Sequence, residues 1–489
     1  MLLLQIDRSA IVPVYRQICD LVARLVDDGA LLPGERLPPT RRLATTLQVH
    51  RSTIIRAYGE LRALGYLEGR PGSYTTIRRR SRPPGTRQAL PGAVVPIRWA
   101  TPWTPGVRRI HVARSEFEHR PDAPPDVIDF ARHAPDPALA PHDYLRRCMK
   151  RVLASRGGQT PTEYADPQGL LALREVIARR MKAHGVAVTP DEIVVASGAQ
   201  AAFDLVLRLL VRPGDEVVTE SPTYGMALEL LRLHGARPVT VPMRADGMDL
   251  DALRRTLRRR RPALLFTMPN FQDPTGITTS QAHREALLSC CESHRLPIVE
   301  DGFDEELKYS GATVLPIKSI DARGIVLYIG TLSKIAFPGL RIAWIAAPRE
   351  ACARLATIQY VSALGGNTLA QAVAAKFYAG SRFEVYLRRV HRVYQRRLHV
   401  MLAGLEEHLP SHVRFTRPEG GYTVWLSLPE ARGQESVLRE RLERAGVAVT
   451  PGHGFFALQS PIPHFRLSIA SVDEARIAEG CRRLGRALR

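Results

Sequence analysis

Short apolar segments alternate with helix-like amphipathic segments between residues 192 and 347, and no other feature restricts the fold as strongly. One helix-like segment spans residues 199–211, and a turn follows it at 212–215. The apolar segments are 193–196, 216–219, 237–241, 263–268, 297–300, 325–329 and 341–347. Such alternation is typical of βαβ units. It predicts an α/β fold with a mostly parallel sheet that carries helices on both faces.

The rest of the chain differs from this central region in composition and periodicity. At 489 residues the chain is longer than one typical domain. Residues 1–77 contain short amphipathic segments separated by turns, whereas residues 78–126 are rich in Pro and Arg and lack sustained periodicity. After about residue 375 a long basic helix precedes short strands and a final helix. We therefore predict an N-terminal domain over 1–77, a linker over 78–126, and a large domain over 127–489 that ends in a smaller α+β subdomain.

The N-terminal region has the pattern of a small basic DNA-binding module. Apolar residues recur at helical spacing over 11–28, 41–47 and 52–64, and Thr40 could cap the second of these helices. Residues 65–67 and 70–76 then fit a β-hairpin wing. Residues 1–80 hold 13 Arg against 7 acidic residues, within a chain of net charge +21. This charge suits phosphate contacts, although a basic helical cap without a nucleic-acid role would have the same sign.

Residues 37–44 read Leu-Pro-Pro-Thr-Arg-Arg-Leu-Ala, and with the following wing they resemble the winged helix-turn-helix of the GntR family. The resemblance implies that the partner is a double-stranded DNA operator. It also implies that a group of side chains faces the major groove and its phosphates, while a glycine lets the wing tip approach the backbone. The first group is Arg41, Arg51, Ser52 and Thr53, with Arg56 as a further candidate, and the glycine is Gly72.

Lys334 is a candidate covalent anchor for an aldehyde. Only 6 of the 69 basic residues are Lys, yet this one lies in a turn between two apolar segments. An amine that can lose its proton forms a Schiff base, which a guanidinium does not. Thr331, Ser333 and Arg341 lie close to it in sequence and suit a phosphate group. The turn therefore indicates pyridoxal 5'-phosphate (PLP), the alternative being an ordinary exposed lysine.

Other segments offer the remaining contacts that PLP needs. Gly198, Ala199 and Gln200 join a strand to a helix, where backbone N–H groups can meet phosphate. Asp301 follows an apolar segment and could pair with the pyridine nitrogen, and Tyr224 could stack on the ring. Each of these is weak alone, because such residues are more often a turn, a helix cap and a core side chain. Their joint order along the chain favours the cofactor site.

From about residue 127 to its end the chain resembles a fold-type I aminotransferase, most specifically around Lys334. The resemblance implies that Tyr164, in Tyr-Ala-Asp-Pro-Gln-Gly, serves the phosphate site of a partner subunit, and hence a homodimer. It also implies that Arg466 binds an α-carboxylate. A GntR-like module joined to an aminotransferase-like domain is the layout of MocR-type regulators, so the resemblance covers all but the linker.

Two departures from the aminotransferase pattern concern the partners of the PLP ring oxygen O3′. Asp273 stands in Asp-Pro-Thr-Gly where aminotransferases commonly have Asn, and Phe303 stands in Asp-Gly-Phe where they have Tyr. Either the ring phenolate is less stabilised, or Asp273 is protonated and donates to O3′ itself. Both alternatives predict a departure from ordinary aminotransferase turnover.

Three functions are compatible with these patterns. The first is a transcriptional regulator whose aminotransferase-like domain senses a small amino compound, or PLP itself. The second is a working PLP-dependent aminotransferase with an accessory DNA-binding module, and the third is a dimerisation platform that no longer uses PLP. The six cysteines show no metal-ligand spacing, and Asp7 and Arg8 interrupt the apolar N-terminus, so we predict a cytoplasmic protein without a metal site or membrane segment.

Overall fold

The computed structural model describes residues 5–10, 12–69, 74–79, 103–110, 124, 126–155, 163–164, 166–303 and 305–489. The chain forms two compact units, Met1–Trp99 and Ala100–Arg489. Nowhere in these ranges is a helix both long enough and apolar enough to cross a membrane.

The first unit is a winged helix-turn-helix, as predicted. Its helices are α1 (Val14–Asp27), α2 (Thr40–Leu47) and α3 (Arg51–Ala63), and its antiparallel wing strands are β1 (Leu67–Glu68) and β2 (Thr76–Ile77). Their apolar faces share one core, which includes Ile18, Leu43, Ile54 and Ile77. Packing of these faces, rather than helix propensity, holds such short helices together.

The turn between α2 and α3 depends on local backbone geometry. Gln48 ends α2 in the left-handed conformation at φ 49°, and His50 caps α3 by accepting a hydrogen bond from the Ser52 backbone N–H. Thr40 was expected to cap α2, but it is the first residue of that helix and follows Pro39. Proline has no backbone N–H and a fixed φ, so it suits the position before a helix.

The second unit contains an eight-stranded sheet in the order β4-β11-β10-β9-β8-β5-β6-β7. Its strands are β4 (Ile193–Ala196), β5 (Glu216–Ser221), β6 (Arg237–Arg244), β7 (Gly247–Met248), β8 (Leu264–Thr267), β9 (Ile298–Asp301), β10 (Val326–Thr331) and β11 (Ala343–Ala346). Strands β6, β5, β8, β9 and β10 pair in parallel, which confirms the predicted α/β class.

Strand β11 departs from the parallel pattern, since it is antiparallel to both β10 and β4. Only residues 332–342 separate β10 from β11, and a parallel crossover needs a dozen or more residues. The chain therefore turns back directly, and Lys334 lies in this connection.

Helices cover both faces of the sheet. They are α4 (Pro105–Arg108), α5 (His142–Ala154), α6 (Leu171–Ala183), α7 (Ala199–Leu210), α8 (Gly225–Leu233), α9 (Leu250–Arg259), α10 (Gln281–Ser293), α11 (Arg349–Ala363) and α12 (Thr368–Ala379). Alternate residues of β4 enter different cores, with Ile193 and Val195 in one and Val194 and Ala196 in the other. This period of two is what a strand buried on both faces requires.

The C-terminal subdomain is α+β, as predicted. A 28-residue helix, α13 (Ser381–His408), leads into a four-stranded antiparallel sheet and two more helices. These elements are β12 (Arg414–Phe415), β13 (Thr423–Ser427), β15 (Thr450–Pro451), β16 (His464–Ser468), α14 (Glu435–Arg444) and α15 (Glu474–Ala487). The subdomain also contains a two-stranded parallel pair of β3 (Ile128–Asp129) and β14 (Val447–Ala448).

Candidate functional site

Most of the predicted cofactor residues meet in one cavity of about 200 Å³ in the large unit. Those that line it are Lys334, Asp301, Thr331, Ser333, Arg341, Ala199, Gln200, Tyr224 and Asp273. Asp301 and Thr331 are the last residues of the parallel strands β9 and β10. Ligands of open α/β sheets bind at the carboxyl ends of such strands.

Lys334 is held by contacts from elsewhere in the fold. Its ammonium Nζ donates a hydrogen bond to the backbone oxygen of His133 at 2.7 Å, and the Tyr422 hydroxyl donates to the backbone oxygen of Lys334. The Phe303 ring centroid lies 6.0 Å from Nζ. These contacts direct the amine into the cavity.

Asp301 has the surroundings that a pyridinium partner requires. Its side chain is buried, and Oδ1 has no hydrogen-bond partner among the described residues. Burial raises the pKa of the carboxyl to about 7, against the lowering effects of nearby Lys334 and of a hydrogen bond from the Phe303 backbone N–H. A positively charged N–H group at Oδ1 would offset this desolvation.

The phosphate end of the cavity is formed by the start of α7 and the turn after β10. Gly198 precedes the helix at φ 101°, and a Cβ there would lie 1.9 Å from Nη2 of Arg341. The Thr331 hydroxyl donates to the Ile342 backbone oxygen at 3.0 Å and accepts from the Ser333 backbone N–H. Its oxygen lies 3.1 Å from the Ser333 hydroxyl, so both side chains are oriented. A helix N-terminus, two hydroxyls and a guanidinium together suit a phosphate dianion.

Tyr224 and Phe303 supply aromatic surface to the cavity wall. Burial raises the pKa of the Tyr224 hydroxyl, and the carboxylates of Asp273 and Asp301 add to the effect. Tyr224 is therefore a neutral phenol at physiological pH. The cavity as a whole fits PLP, since it combines an amine, an unpartnered buried carboxylate, a phosphate cradle and flat side chains.

Asp273 and Arg466 form a buried ion pair. Arg466 Nη1 lies 3.1 Å from both Oδ1 and Oδ2 of Asp273, and the two residues are only 1% and 5% exposed. Asp273 lines the cavity, whereas Arg466, on β16, does not. The predicted carboxylate-binding Arg466 thus lies behind the cavity wall, where it is paired with a carboxylate of its own chain.

Tyr164 does not join the cavity of its own chain. Its side chain is 83% exposed, and it is absent from the cavity wall. A tyrosine that served a neighbouring subunit would have this exposure, and that role stays a prediction.

His133 is a cavity residue that the sequence did not indicate. Both of its ring nitrogens are buried, and neither has a hydrogen-bond partner in the ranges described here. Burial holds its pKa well below the ordinary value, with further lowering by the positive charges of Lys334 and Arg466. It follows strand β3 in a Pro-rich stretch without periodicity, so only its position in the folded chain reveals it.

The predicted DNA-contacting side chains lie together on the helix-turn-helix. Arg41, on α2, and Arg51, at the start of α3, are exposed and line one shallow concavity. Ser52 is exposed and Thr53 is half-buried on the first turn of α3. This is the end of a recognition helix that contacts base edges in such modules.

Two further candidates differ from this group. The Arg56 guanidinium lies 3.9 Å above the Tyr15 ring and donates to its hydroxyl at 3.2 Å, so an intramolecular contact already holds it. Gly72 lies outside the described residues.

Comparisons with known proteins match both units. Residues 14–77 match the gntR family of bacterial regulatory proteins, and residues 136–484 match the aminotransferase class I and II family. The latter family is PLP-dependent.

Similar individual proteins include both enzymes and regulators. The chain is 35% identical to 2-aminoadipate transaminase of Thermus thermophilus over 81% of this chain and 98% of that protein. It is 31% identical to a probable rhizopine catabolism regulatory protein, MocR, of Rhizobium meliloti over 98% and 94% of the two chains.

A similar solved structure is the α-aminoadipate aminotransferase LysN of Thermus thermophilus, complexed with N-(5'-phosphopyridoxyl)-L-leucine. The TM-score is 0.73 at 34% identity, with 80% of this chain and 98% of that chain covered. The regulator is similar over 98% of this chain, whereas the transaminase is similar over 81% of it. The chain therefore belongs to the MocR-type transcriptional regulators, in which a GntR-family DNA-binding domain is fused to an aminotransferase class I and II domain.

Proposed function

We propose that this regulator binds PLP through Lys334 and senses a small amino compound in the same cavity. The observation that carries the proposal is the meeting of Lys334 with the unpartnered, buried Oδ1 of Asp301 at the carboxyl end of the sheet. We further propose that residues 1–77 bind DNA, residues 78–126 link the domains, and residues 127–489 bind the effector and form a homodimer.

The predicted cofactor residues have separate roles in this proposal. Asp301 holds the protonated pyridine nitrogen, and Gly198, Ala199, Gln200, Thr331, Ser333 and Arg341 hold the phosphate. Tyr224 stacks on the ring, while Asp273 lies near the ring oxygen. When bound, PLP supplies an aldehyde that combines reversibly with primary amines.

An amino compound can act as a signal because it competes with Lys334 for that aldehyde. In this structure the Lys334 amine is held by its hydrogen bond to the His133 backbone oxygen. An amine that took the aldehyde would leave Lys334 free to change its position. The compound shifts the protein between two domain arrangements only if it binds them with different affinities. Arg466 is the residue expected to bind an effector carboxylate, but its guanidinium is already paired with Asp273.

The DNA-binding part of the proposal rests on the exposed helix-turn-helix residues. Arg41, Arg51, Ser52 and Thr53 contact an operator, with the Gly72 wing tip near the backbone and Arg56 in a smaller role. Two modules per dimer would engage paired half-sites, and the exposed Tyr164 supports the dimer because it is available to a second subunit. A cytoplasmic location belongs to the proposal, since the operator lies in that compartment.

The test measures operator affinity of the full-length, PLP-loaded protein with and without a panel of primary amines. We expect at least one amine to change both the visible absorbance of the protein and its operator affinity. Lys334→Ala should abolish the absorbance and the amine response, while Lys318→Ala, at an ion-paired lysine outside the cavity, should retain both. If neither PLP nor any amine tested changes the operator affinity, the sensing function is refuted.

A working aminotransferase is the second candidate. The 35% identity to a transaminase and the retained pair of Lys334 and Asp301 favour it. Steady turnover of an amino donor and an oxo acid by the native protein, lost in Lys334→Ala, would establish this activity. A single round of reaction without turnover would favour sensing.

A further inference from the structure

The ion pair between Asp273 and Arg466 affects which amines the cavity can accept. Arg466 Nη1 is equidistant from the two Asp273 oxygens, and Nη2 approaches the Thr450 hydroxyl at 3.4 Å. The guanidinium carbon lies 5.1 Å from the centre of the Phe455 ring. The positive charge of Arg466 is thus neutralised inside the protein before any ligand arrives.

The arrangement of this pair places the negative partner towards the ligand. Asp273 lines the cavity, and Arg466 lies behind it on β16. A carboxylate that approached Arg466 from the cavity would first meet the Asp273 carboxylate. Juxtaposed like charges in a water-poor site are strongly unfavourable. An Asn at position 273 would keep the shape of the wall without this charge.

The other charged side chains of the cavity do not compensate. Lys334 is the amine anchor, and Arg341 lies beside Gly198 at the phosphate end. His133 faces the same space with two buried ring nitrogens that lack partners within the described chain, but it is uncharged because burial keeps its pKa low. A neutral imidazole offers one donor and one acceptor, which suit an uncharged polar group better than a carboxylate.

From this wall we infer that the effector is a primary amine without a carboxylate on the carbon that carries the amino group. The inference rests on the proposed function, because it assumes that the amine reacts in the Lys334 cavity. It assigns Asp273 as the residue that excludes α-amino acids, and Arg466 as the residue that positions Asp273.

The experiment compares propylamine with 2-aminobutyrate, which differ only by the α-carboxylate. Each is titrated into the full-length, PLP-loaded protein, and the change in visible absorbance is measured against the concentration of unprotonated amine. We expect half-conversion at a concentration at least about tenfold lower for propylamine. In Asp273→Asn, the concentration of 2-aminobutyrate at half-conversion should fall at least about tenfold, while that of propylamine changes little.

Asp321→Asn is the matched control. Asp321 is also a buried, ion-paired carboxylate, 3.0 Å from the Lys318 ammonium, but it adjoins the start of β10, away from the cavity. This variant should keep the native preference. The comparison of propylamine with 2-aminobutyrate in the native protein needs no variant. It therefore tests the inference even if Asp273→Asn fails to fold.

Propionate provides a second measurement that needs no reaction with PLP. It should leave the pH midpoint of the native absorbance unchanged and shift that of Asp273→Asn. Equal or better reaction of 2-aminobutyrate, or a propionate shift in the native protein, would overturn the inference while leaving the amine-sensing proposal intact. If the protein acquires no visible absorbance with PLP, both the proposed function and this inference are wrong.

Discussion

Replacing Asp301 with Asn should have opposite effects on the protein without PLP and on the protein with it. In the absence of PLP, Asp301 is a buried carboxyl whose pKa is raised from 3.8 to about 7, chiefly by desolvation. This gap corresponds to about 4 kcal/mol, at about 1.4 kcal/mol for each tenfold change in proton affinity. Folding with the charged side chain therefore costs free energy at neutral pH.

The sign of the pH dependence follows from proton binding. Between pH 3.8 and about 7 the folded protein holds a proton on Asp301 that the unfolded chain has lost. Stability must therefore fall as the pH rises through this window and level off above it. The Asn side chain does not titrate, so the stability advantage of Asp301→Asn should grow by about 3 kcal/mol between pH 5 and pH 8.

The assay is urea unfolding of the PLP-free protein at pH 5, 6, 7 and 8, monitored by fluorescence of the buried Trp344 and Trp425. With PLP present, Asp301→Asn loses the charged partner of the pyridine nitrogen, so PLP affinity should fall about 10- to 100-fold. The substitution should thus stabilise the PLP-free protein and weaken its binding of PLP.

Glu300→Gln is the control. Glu300 is the neighbouring strand residue, it is equally buried, and burial raises its pKa to about 7 as well. It accepts hydrogen bonds from the Ile317 and Lys318 backbones and does not line the cavity. This variant should bind PLP like the native protein. The raised pKa of Asp301 is refuted if PLP-free Asp301→Asn is no more stable than the native protein at pH 8. It is also refuted if the stability difference between the two proteins is the same at pH 5 and pH 8.

Four other substitutions test Lys334, the DNA-binding residues and Phe303. Lys334→Ala should remove the visible absorbance and the borohydride-trapped PLP adduct; an adduct on another lysine in the native protein would contradict the assignment. Arg41→Ala and Arg51→Ala should each weaken operator binding by about 1–3 kcal/mol where the guanidinium reads a base edge, with unchanged PLP content, and native affinity across a salt series would rule these contacts out. Phe303→Tyr should lower the pH midpoint of the PLP absorbance, because the added phenol can donate to the ring oxygen; an unchanged midpoint would exclude this contact.

Local patterns in the sequence were sufficient to predict both units. Apolar residues at a period of two fill the cores on the two faces of β4, and the helices of the first unit bury the residues that helical spacing indicated. Lys334 was predicted as a rare Lys in a turn between two apolar segments, and Asp301 from its position after an apolar segment. The two meet because residues at the carboxyl ends of parallel strands lie at one edge of a sheet. The boundaries were less accurate: Asp301 is the last residue of its strand rather than the residue after it.

The tertiary structure decided what depends on contacts between distant parts of the chain. The sequence indicated separate roles for Asp273 and Arg466. Only the fold, which brings β16 close to Asp273, shows that the two side chains neutralise each other. His133 has no sequence signal, and it enters the cavity because the chain after β3 passes beside Lys334. Periodicity records which face of an element is buried, whereas charge pairing depends on which elements the fold brings together, and local spacing carries no information about that.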